Sequence, residues 1–179
     1  MSHQRKRQVR PEPVEETGKL NDALAILAAH RRDAILEAVA MSAEELLRSA
    51  SLEQSLPKVI ERIGQATGVD RVHILEIDPA SLDQGRIVQH YLWSASGIST
   101  PPLFQDARGA AMMEIGLESW LRRLAAGKVV VGHVRDLEKP VREFFESAGV
   151  KSAMAVPVFA NKHLWGHIGL DDCRNEREW

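Results

Sequence analysis

The chain has 179 residues, 44% of them hydrophobic, and a net charge of −2, which suits one globular domain with an extension and gives no general attraction to nucleic acid. No apolar run approaches the roughly 20 residues that a membrane span needs, and the charged N-terminus lacks the apolar segment of a secretory signal. Because Cys173 is the single cysteine, an internal disulfide framework is excluded, and these features together predict a cytoplasmic protein.

The N-terminal region is predicted to consist of a tail and a long helix. Residues 1–19 are expected to be disordered, because they offer little apolar surface to offset the entropy of ordering. Residues 20–50 contain no proline or glycine and favour helix. Their apolar positions step by fours and threes, as in a coiled-coil seam, in the series Leu20, Leu24, Leu27, Arg31, Ala34, Ala38 and Met41. The same stripe suits a helix packed on its own domain, and both interpretations stay open.

The remainder of the chain alternates short helices with strands. A second helix is predicted to run as far as Gly68. It begins either at the capping-box spacing of Ser51 and Gln54 or, because Pro57 lacks an amide hydrogen, with Ser55 as its cap. Residues 95–117 form a long connection, of a kind that usually binds something or is mobile. Hairpins near both ends of this region predict an α+β fold with a central antiparallel sheet of five to six strands and helices mainly on one face. The predicted strands are residues 71–78, 86–94, 128–132, 151–159 and 163–171.

Four segments carry a resemblance to a known family. They are residues 32–40, Tyr91–Trp93, Gly132–Arg135 and, most specifically, Trp165–Trp179. Over roughly residues 33–179 the chain resembles the GAF sensor domain, and most closely the GAF domains that precede kinase, cyclase or cyclic-dinucleotide output modules in bacterial signalling proteins. The resemblance implies a GAF domain over residues 51–179 without the closing helix usual in the family, and a larger parent protein that carries the output module.

Catalytic motifs are absent from the sequence. It lacks GxGxxG, GxxxxGK, HExxH and GxSxG. Some GAF-fold enzymes reduce methionine sulfoxide, but that chemistry needs several cysteines to form and resolve a disulfide, and this chain has one. We therefore expect no enzymatic activity from the chain itself, whereas a parent histidine kinase or nucleotide cyclase would carry its activity elsewhere.

Aromatic side chains suggest a pocket for a small ligand. Alternation places Tyr91 and Trp93 on one face of their strand, and Trp165 and His167 on one face of theirs. Aromatic walls with a few polar tips are what small-ligand cavities need. The predicted ligand-binding set is Tyr91, Trp93, Trp120, His133, Met154, Val156, Trp165 and His167. The same residues also suit a filled core, and the sequence does not decide between the two.

The sequence does not identify a cofactor. His163 and His167 have the separation of a helical metal pair, but in a strand they lie about 13 Å apart and cannot share one ion. A haem or metal site where His73, His90, His133 and His167 converge is a minor alternative. The family resemblance implies no bilin, because Cys173 follows the last strand, whereas the attachment cysteine of chromophore-bearing relatives lies in the pocket-facing middle region.

Three functions therefore remain open. The first is a ligand-sensing GAF module that couples a small ligand to an output module through flanking helices, as in two-component signal transduction. The second is a ligand-free GAF-fold dimerisation module, and the third, less favoured, is a haem or metal redox sensor. An apolar stripe as long as that of residues 20–50 needs a partner, and a two-fold arrangement supplies one. We therefore predict a homodimer held mainly through this helix.

Overall fold

The computed structural model describes residues 13–100 and 110–179, and only the backbone of residues 13–16 and 88–90. Residues 1–12 of the predicted tail and 101–109 of the predicted long connection lie outside the described residues. The helices and strands in chain order are α1 (Pro13–Arg48), α2 (Leu52–Thr67), β1 (Arg71–Ile77), β2 (Ile87–Ser94), α3 (Glu118–Ala125), β3 (Val130–His133), α4 (Val141–Ser147), β4 (Ser152–Ala160) and β5 (His163–Asp172).

The long helix α1 begins at Pro13, earlier than the predicted start at residue 20, and ends at Arg48. Its second half lies against α2 and buries Ala38 and Ser42. The apolar side chains of its first half, among them Leu20, Leu24 and Leu27, are exposed. The second half of α1 thus packs on its own domain, as one interpretation of the stripe predicted. The first half presents apolar side chains to solvent and keeps the other interpretation, a coiled-coil seam, open.

The sheet has five antiparallel strands in the order β2-β1-β5-β4-β3, which confirms the predicted class and strand number. Both predicted hairpins are present, β1 with β2 and β4 with β5. The second turns tightly at Asn161 and Lys162, whose φ angles of 50° and 66° are those that a two-residue hairpin turn requires. The sheet therefore brings the two hairpins together along β1 and β5.

Each face of the sheet packs against a different set of helices, whereas the sequence predicted helices mainly on one face. The two long helices lie on one side, where α2 places Leu56 and Ile60 against Val72, Ile74 and Leu170. We call this the helix face. On the other side, a larger cluster joins α3 and α4 to β4, β5 and the segment that follows residue 110. We call this the cavity face, because an unfilled space lies within it.

Close approach between α2 and β2 tightens the helix face. The indole of Trp93 lies directly over Gly64, where an added Cβ would come within 2.1 Å of a ring carbon. Trp165 lies on the same face, and its Nε1 donates a hydrogen bond of 3.1 Å to Glu76 Oε1 on β1. Both indoles therefore pack as part of the helix-face core.

The C-terminal segment after β5 returns to the end of α2. Arg177 donates to the backbone carbonyls of Thr67 and Gly68 at 3.1 and 2.7 Å, and its Nε donates to Asp172 Oδ2 at 3.0 Å. The carbonyl of Thr67 also accepts a hydrogen bond from Arg31 on α1. Carbonyls at a helix C-terminus lack intrahelical donors, so these guanidinium groups stabilise the end of α2.

Candidate ligand cavity

The cavity face encloses a space of about 50 Å³ between the sheet and its covering segments. Strands β1, β4 and β5 form the floor, and α3, α4 and residues 110–117 form the walls. Most of the lining is apolar and includes three aromatic side chains, Trp120, Phe144 and Phe145. Small-molecule sites have this character, an apolar chamber with few polar groups.

The predicted ligand-binding residues do not form one site. Trp120 and His167 line the cavity, and Met154 borders it while also packing against the helix-face cluster. Tyr91, Trp93 and Trp165 pack in the helix-face cluster, on the opposite side of the sheet. The structure therefore separates Tyr91, Trp93 and Trp165 from the cavity that Trp120 and His167 line. Whether any of the predicted set binds a ligand stays a prediction.

The last two residues of that set lie away from the cavity lining. Val156 on β4 is half-buried and shares the helix face with Met154 by alternation. His133 ends β3, and its Nε2 lies 3.2 Å from Glu178 Oε1 in the C-terminal segment. Both residues therefore lie outside the chamber.

Sequence reasoning missed the polar floor of the cavity. Alternation along β1 directs Arg71, His73 and Leu75 to the cavity face, and alternation along β5 directs His167, Gly169 and Asp171 there. The alternation was readable in the sequence. What the sequence hid is the complete burial of an arginine, because arginine is almost never fully buried unless it is paired.

Arg71 and Asp171 form a buried pair beneath the cavity. Arg71 Nη1 lies 3.4 Å from Asp171 Oδ2, and both side chains are at most 1% exposed. Arg71 Nη2 also donates to the carbonyls of Ser99 and Ala148 at 3.1 and 3.2 Å. Burial raises the pKa of Asp171 to about 7, because desolvation of the carboxylate outweighs the opposing attraction of Arg71.

Asp171 presents one oxygen that the pair does not use. Its Oδ1 accepts no hydrogen bond from any group in the described parts of the chain, although the atom is buried. Asp171 also lines the cavity. Buried polar oxygens normally have a partner, so an acceptor left open beside an empty space marks the point where a ligand or water would bind.

The ring of His73 occupies space that a side chain at position 169 would need. Gly169 lies opposite His73 in the pairing of β5 with β1, and a Cβ there would come within 2.0 Å of His73 Nε2. The rings of His73 and His167 pack edge to face with centroids 5.7 Å apart. His73 Nδ1 lies 3.8 Å from Asp171 Oδ2, so the imidazoles and the carboxylate form one polar strip.

Other candidate chemistries find little in the described structure. Burial raises the pKa of the Cys173 thiol to about 11, against a weaker opposing effect of Arg71, so the thiol is protonated at neutral pH and is a poor nucleophile. Across residues 13–100 and 110–179, no cluster of three or more His, Cys, Asp or Glu side chains is arranged to hold a metal ion. None of the described helices combines the length and the apolar character that crossing a membrane requires.

Comparison with known families assigns this arrangement of sheet and helices. The model of the GAF domain matches residues 51–179. The chain belongs to the GAF domain family. The assignment agrees with the predicted resemblance, and it places the cavity and both faces of the sheet inside the matched region.

Similar proteins include segments of histidine kinases. The chain is 28% identical over 151 residues to the methanogenesis regulatory histidine kinase FilI of Methanothrix harundinacea, a match that covers 83% of this chain and 17% of that protein. It is 25% identical over 148 residues to the circadian input-output histidine kinase CikA of Synechococcus elongatus, covering 73% of this chain and 19% of that one. The chain thus spans less than a fifth of the length of these relatives.

Solved structures with the same fold include bilin-bound domains. One is a far-red-absorbing dark state with bound biliverdin, at a TM-score of 0.61 and 18% identity, covering 79% of this chain and 86% of that one. Another is the phycocyanobilin-bound GAF domain of a cyanobacterial phytochrome, at a TM-score of 0.58 and 18% identity, covering 83% of each chain. At these identities the likeness shows the fold alone.

Proposed function

We propose that this GAF domain is a non-catalytic sensor of a signalling protein, which binds a small ligand in the cavity and passes the signal to an output module outside this chain. The observation that carries the proposal is the cavity itself, an apolar chamber of about 50 Å³ that Asp171 lines, with a buried Oδ1 that accepts no hydrogen bond from the described residues. A filled core would leave neither the space nor the acceptor. The location we propose is the cytoplasm, with no nucleic-acid partner.

The relatives support a regulatory role. Two of them are named as histidine kinases, and the match covers less than a fifth of each. The GxGxxG and GxxxxGK motifs that cradle nucleotide phosphates are absent from this sequence. We therefore propose that any parent kinase carries its catalysis elsewhere and that this domain regulates it.

The cavity volume bounds the ligand. Sites for drug-sized ligands occupy roughly 300–1,000 Å³, several times the volume found here. One water-sized probe needs about 10–15 Å³, so the chamber holds roughly three to five non-hydrogen atoms. We therefore propose a ligand much smaller than the bilins held by the structural relatives.

A screen of small molecules with two matched variants tests this site. Ala155 is buried and lines the cavity, so Ala155→Leu fills the space, whereas Ala160→Leu adds the same atoms at the exposed end of the same strand. Compounds of up to about six non-hydrogen atoms that raise the Tm of the wild type and of Ala160→Leu should leave Ala155→Leu unchanged. A screen without such compounds, or hits that stabilise Ala155→Leu equally, would contradict the proposal.

We further propose that two copies pair through α1. Support comes from the exposed apolar side chains along the helix, among them Leu20, Leu24, Leu27 and Leu36, each more than half exposed. Two-fold pairing of these helices would cover both stripes. Sedimentation over a concentration series should show a modest dimer that dissociates when Leu24 and Leu27 become Glu. A monomer at every concentration, or a dimer that tolerates both substitutions, would refute pairing through this surface.

The exposed stripe also favours a second candidate, a dimerisation module that binds no ligand. In that case the dimer forms as above, and the small-molecule screen finds no compound whose effect depends on Ala155. The two measurements together distinguish a ligand sensor from a structural dimerisation domain.

A further inference from the structure

We propose that Asp171 anchors a small cationic ligand of the amidinium or ammonium class, through a hydrogen bond from the ligand to its Oδ1. This inference rests on the proposed function, because it specifies the chemistry of a ligand in the same cavity. The juxtaposition that carries it is an open carboxylate oxygen at the floor of an aromatic chamber.

The two oxygens of Asp171 have different surroundings. Oδ2 faces Arg71 Nη1 at 3.4 Å and His73 Nδ1 at 3.8 Å. Oδ1 is buried, accepts no hydrogen bond from the described residues, and belongs to a side chain that lines the cavity. An acceptor that has lost its water and gained no donor carries a desolvation cost, and a ligand N–H removes that cost on binding.

The chemistry of the chamber favours a positive charge on the ligand. An anion would face the Asp171 carboxylate, whereas a cationic donor forms a charge-assisted hydrogen bond with it. Trp120, Phe144 and Phe145 line the same space, and the faces of aromatic rings attract cations. Arg71 does not take this role, because its Nη2 is used by the Ser99 and Ala148 carbonyls.

Small size limits the affinity of such a ligand. A space of about 50 Å³ holds roughly four non-hydrogen atoms. The best small ligands gain at most about 1.5 kcal/mol per non-hydrogen atom, so a four-atom ligand should bind with a Kd of tens of micromolar or weaker.

Binding of a cation should couple to the proton on Asp171. Arg71 and His73 on β1, Cys173 after β5, and His167 on β5 are the titratable or charged groups that face or flank this carboxyl, while α4 and residues 110–117 present apolar side chains to the cavity. Burial raises the pKa of Asp171 to about 7, so the carboxyl is largely protonated below neutral pH. A cationic donor therefore binds less tightly as the pH falls from 8 to 6.

Three probes of one shape test the charge preference. Acetamidinium, acetamide and acetate each have four non-hydrogen atoms and carry charges of about +1, 0 and −1. Binding to the full chain is measured by chemical-shift titration at pH 8. We expect acetamidinium to bind at least tenfold more tightly than acetamide, with no binding of acetate. Equal affinity for acetamidinium and acetamide would overturn the proposal.

Two variants and a pH series locate the effect. Asp171→Asn should abolish the preference for acetamidinium, whereas Asp136→Asn, which removes the same charge from an exposed position, should keep it. If Asp171→Asn does not fold, the wild type still decides: acetamidinium binding should weaken about tenfold from pH 8 to pH 6, and acetamide binding should not. A preference that survives Asp171→Asn, or that ignores pH, would refute the anchor.

Xenon separates this inference from the proposed function. Apolar cavities bind xenon without any polar contact, so xenon should occupy the chamber in the wild type and in Asp171→Asn, as seen in ¹²⁹Xe chemical shifts. Xenon binding without a preference for acetamidinium would overturn the anchor and leave the cavity intact. Absence of both xenon and probe binding would overturn the cavity, and with it both proposals.

Discussion

On the helix face of the sheet, the indole of Trp93 lies so close to α2 that only glycine fits at position 64. On the cavity face, the same strands leave a space of about 50 Å³ above a buried carboxylate. Alternation along each strand sends one residue to each face, so β1 and β5 build both environments at once. Trp93 and Trp165 fill the helix face, whereas His73, Gly169 and Asp171 from the same sheet line the cavity.

The largest difference between the faces should appear when each loses an aspartate. Asp171→Ala leaves the fully buried Arg71 guanidinium without its carboxylate, so we expect a loss of about 3–5 kcal/mol in the free energy of unfolding. Asp172→Ala on the helix face affects Arg177, whose side chain is 20% exposed and can be solvated by water, and should cost about 1–2 kcal/mol. Urea unfolding of both variants measures the difference, and equal losses would contradict it.

Stability should depend on pH through the cavity face. The pKa of Asp171 is raised from 3.8 to about 7 on folding, so the folded state keeps a proton that the unfolded state releases. The contribution of Asp171 to the free energy of unfolding is therefore fully present below pH 4. It falls by up to about 4 kcal/mol as the pH rises to 7. We expect the unfolding free energy of the wild type, relative to Asp171→Asn, to decline from pH 5 to pH 7.

Asp70 supplies a control of opposite sign. Burial raises the pKa of Asp70, but hydrogen bonds from the backbone N–H groups of Cys173 and Arg174 more than offset it, and the pKa lies below its usual value. Its stabilisation is present above pH 3.8 and is lost only at more acidic pH. The difference between the wild type and Asp70→Asn should therefore stay constant from pH 5 to pH 8. If the free energy of unfolding of Asp171→Asn declined in parallel with that of Asp70→Asn over this pH range, the decline would not come from Asp171.

Overpacking should be costly on the helix face. Gly64→Ala places a methyl group within 2.1 Å of the Trp93 ring, and relief of the clash requires the indole or α2 to move. We expect a loss of about 1–3 kcal/mol in thermal or urea unfolding. Gly18→Ala in the exposed part of α1 meets no atom within 4 Å and should instead raise stability, because alanine favours helix. Tolerance of alanine at position 64 would mean that the helix face is loosely packed.

Filling the cavity face should have the smallest effect. Ala155 lines the empty space, so the two additional carbon atoms of Ala155→Val enter the cavity without displacing other side chains. Cavity-filling substitutions commonly add about 0.5–2 kcal/mol, and we expect the lower end of this range because valine suits a strand. Destabilisation comparable to that of Gly64→Ala would show that the two faces are equally full.

The order of helices and strands could largely be predicted from the sequence, but the cavity could not. Apolar and polar residues alternate along residues 71–78 and 163–171, and turn residues separate the strands, so both hairpins were predicted. Hairpins imply an antiparallel sheet, and this is the sheet that the structure has. Alternation paired Tyr91 with Trp93 correctly. It was wrong for Trp165 and His167, which lie on opposite faces because an irregularity in the β4–β5 pairing skips Trp165. It could not say which side of the sheet α2 would cover, because contacts such as that of the Trp93 ring with Gly64 join residues 29 positions apart in the chain.

The site escaped prediction because its decisive residues look ordinary in sequence. Arg71 reads as a charged residue at the edge of a strand, and nothing local shows that it is fully buried. Asp171 and Asp172 are adjacent and chemically identical, yet one enters the cavity and the other holds Arg177. Only the pairing of β1 with β5, which sets Arg71 opposite Asp171, separates their roles.

The carbonyl of Thr67 connects the two ends of the described domain. Arg31, from the helix that leads into the domain, and Arg177, from the segment that leaves it, donate to that same oxygen. Arg177 is in turn tied to Asp172, whose neighbour in the chain lines the cavity. Incoming and outgoing segments are thus fastened to one point at the end of α2. A displacement of either segment would therefore act on the same hydrogen-bonded carbonyl, which α1 and the C-terminal segment share.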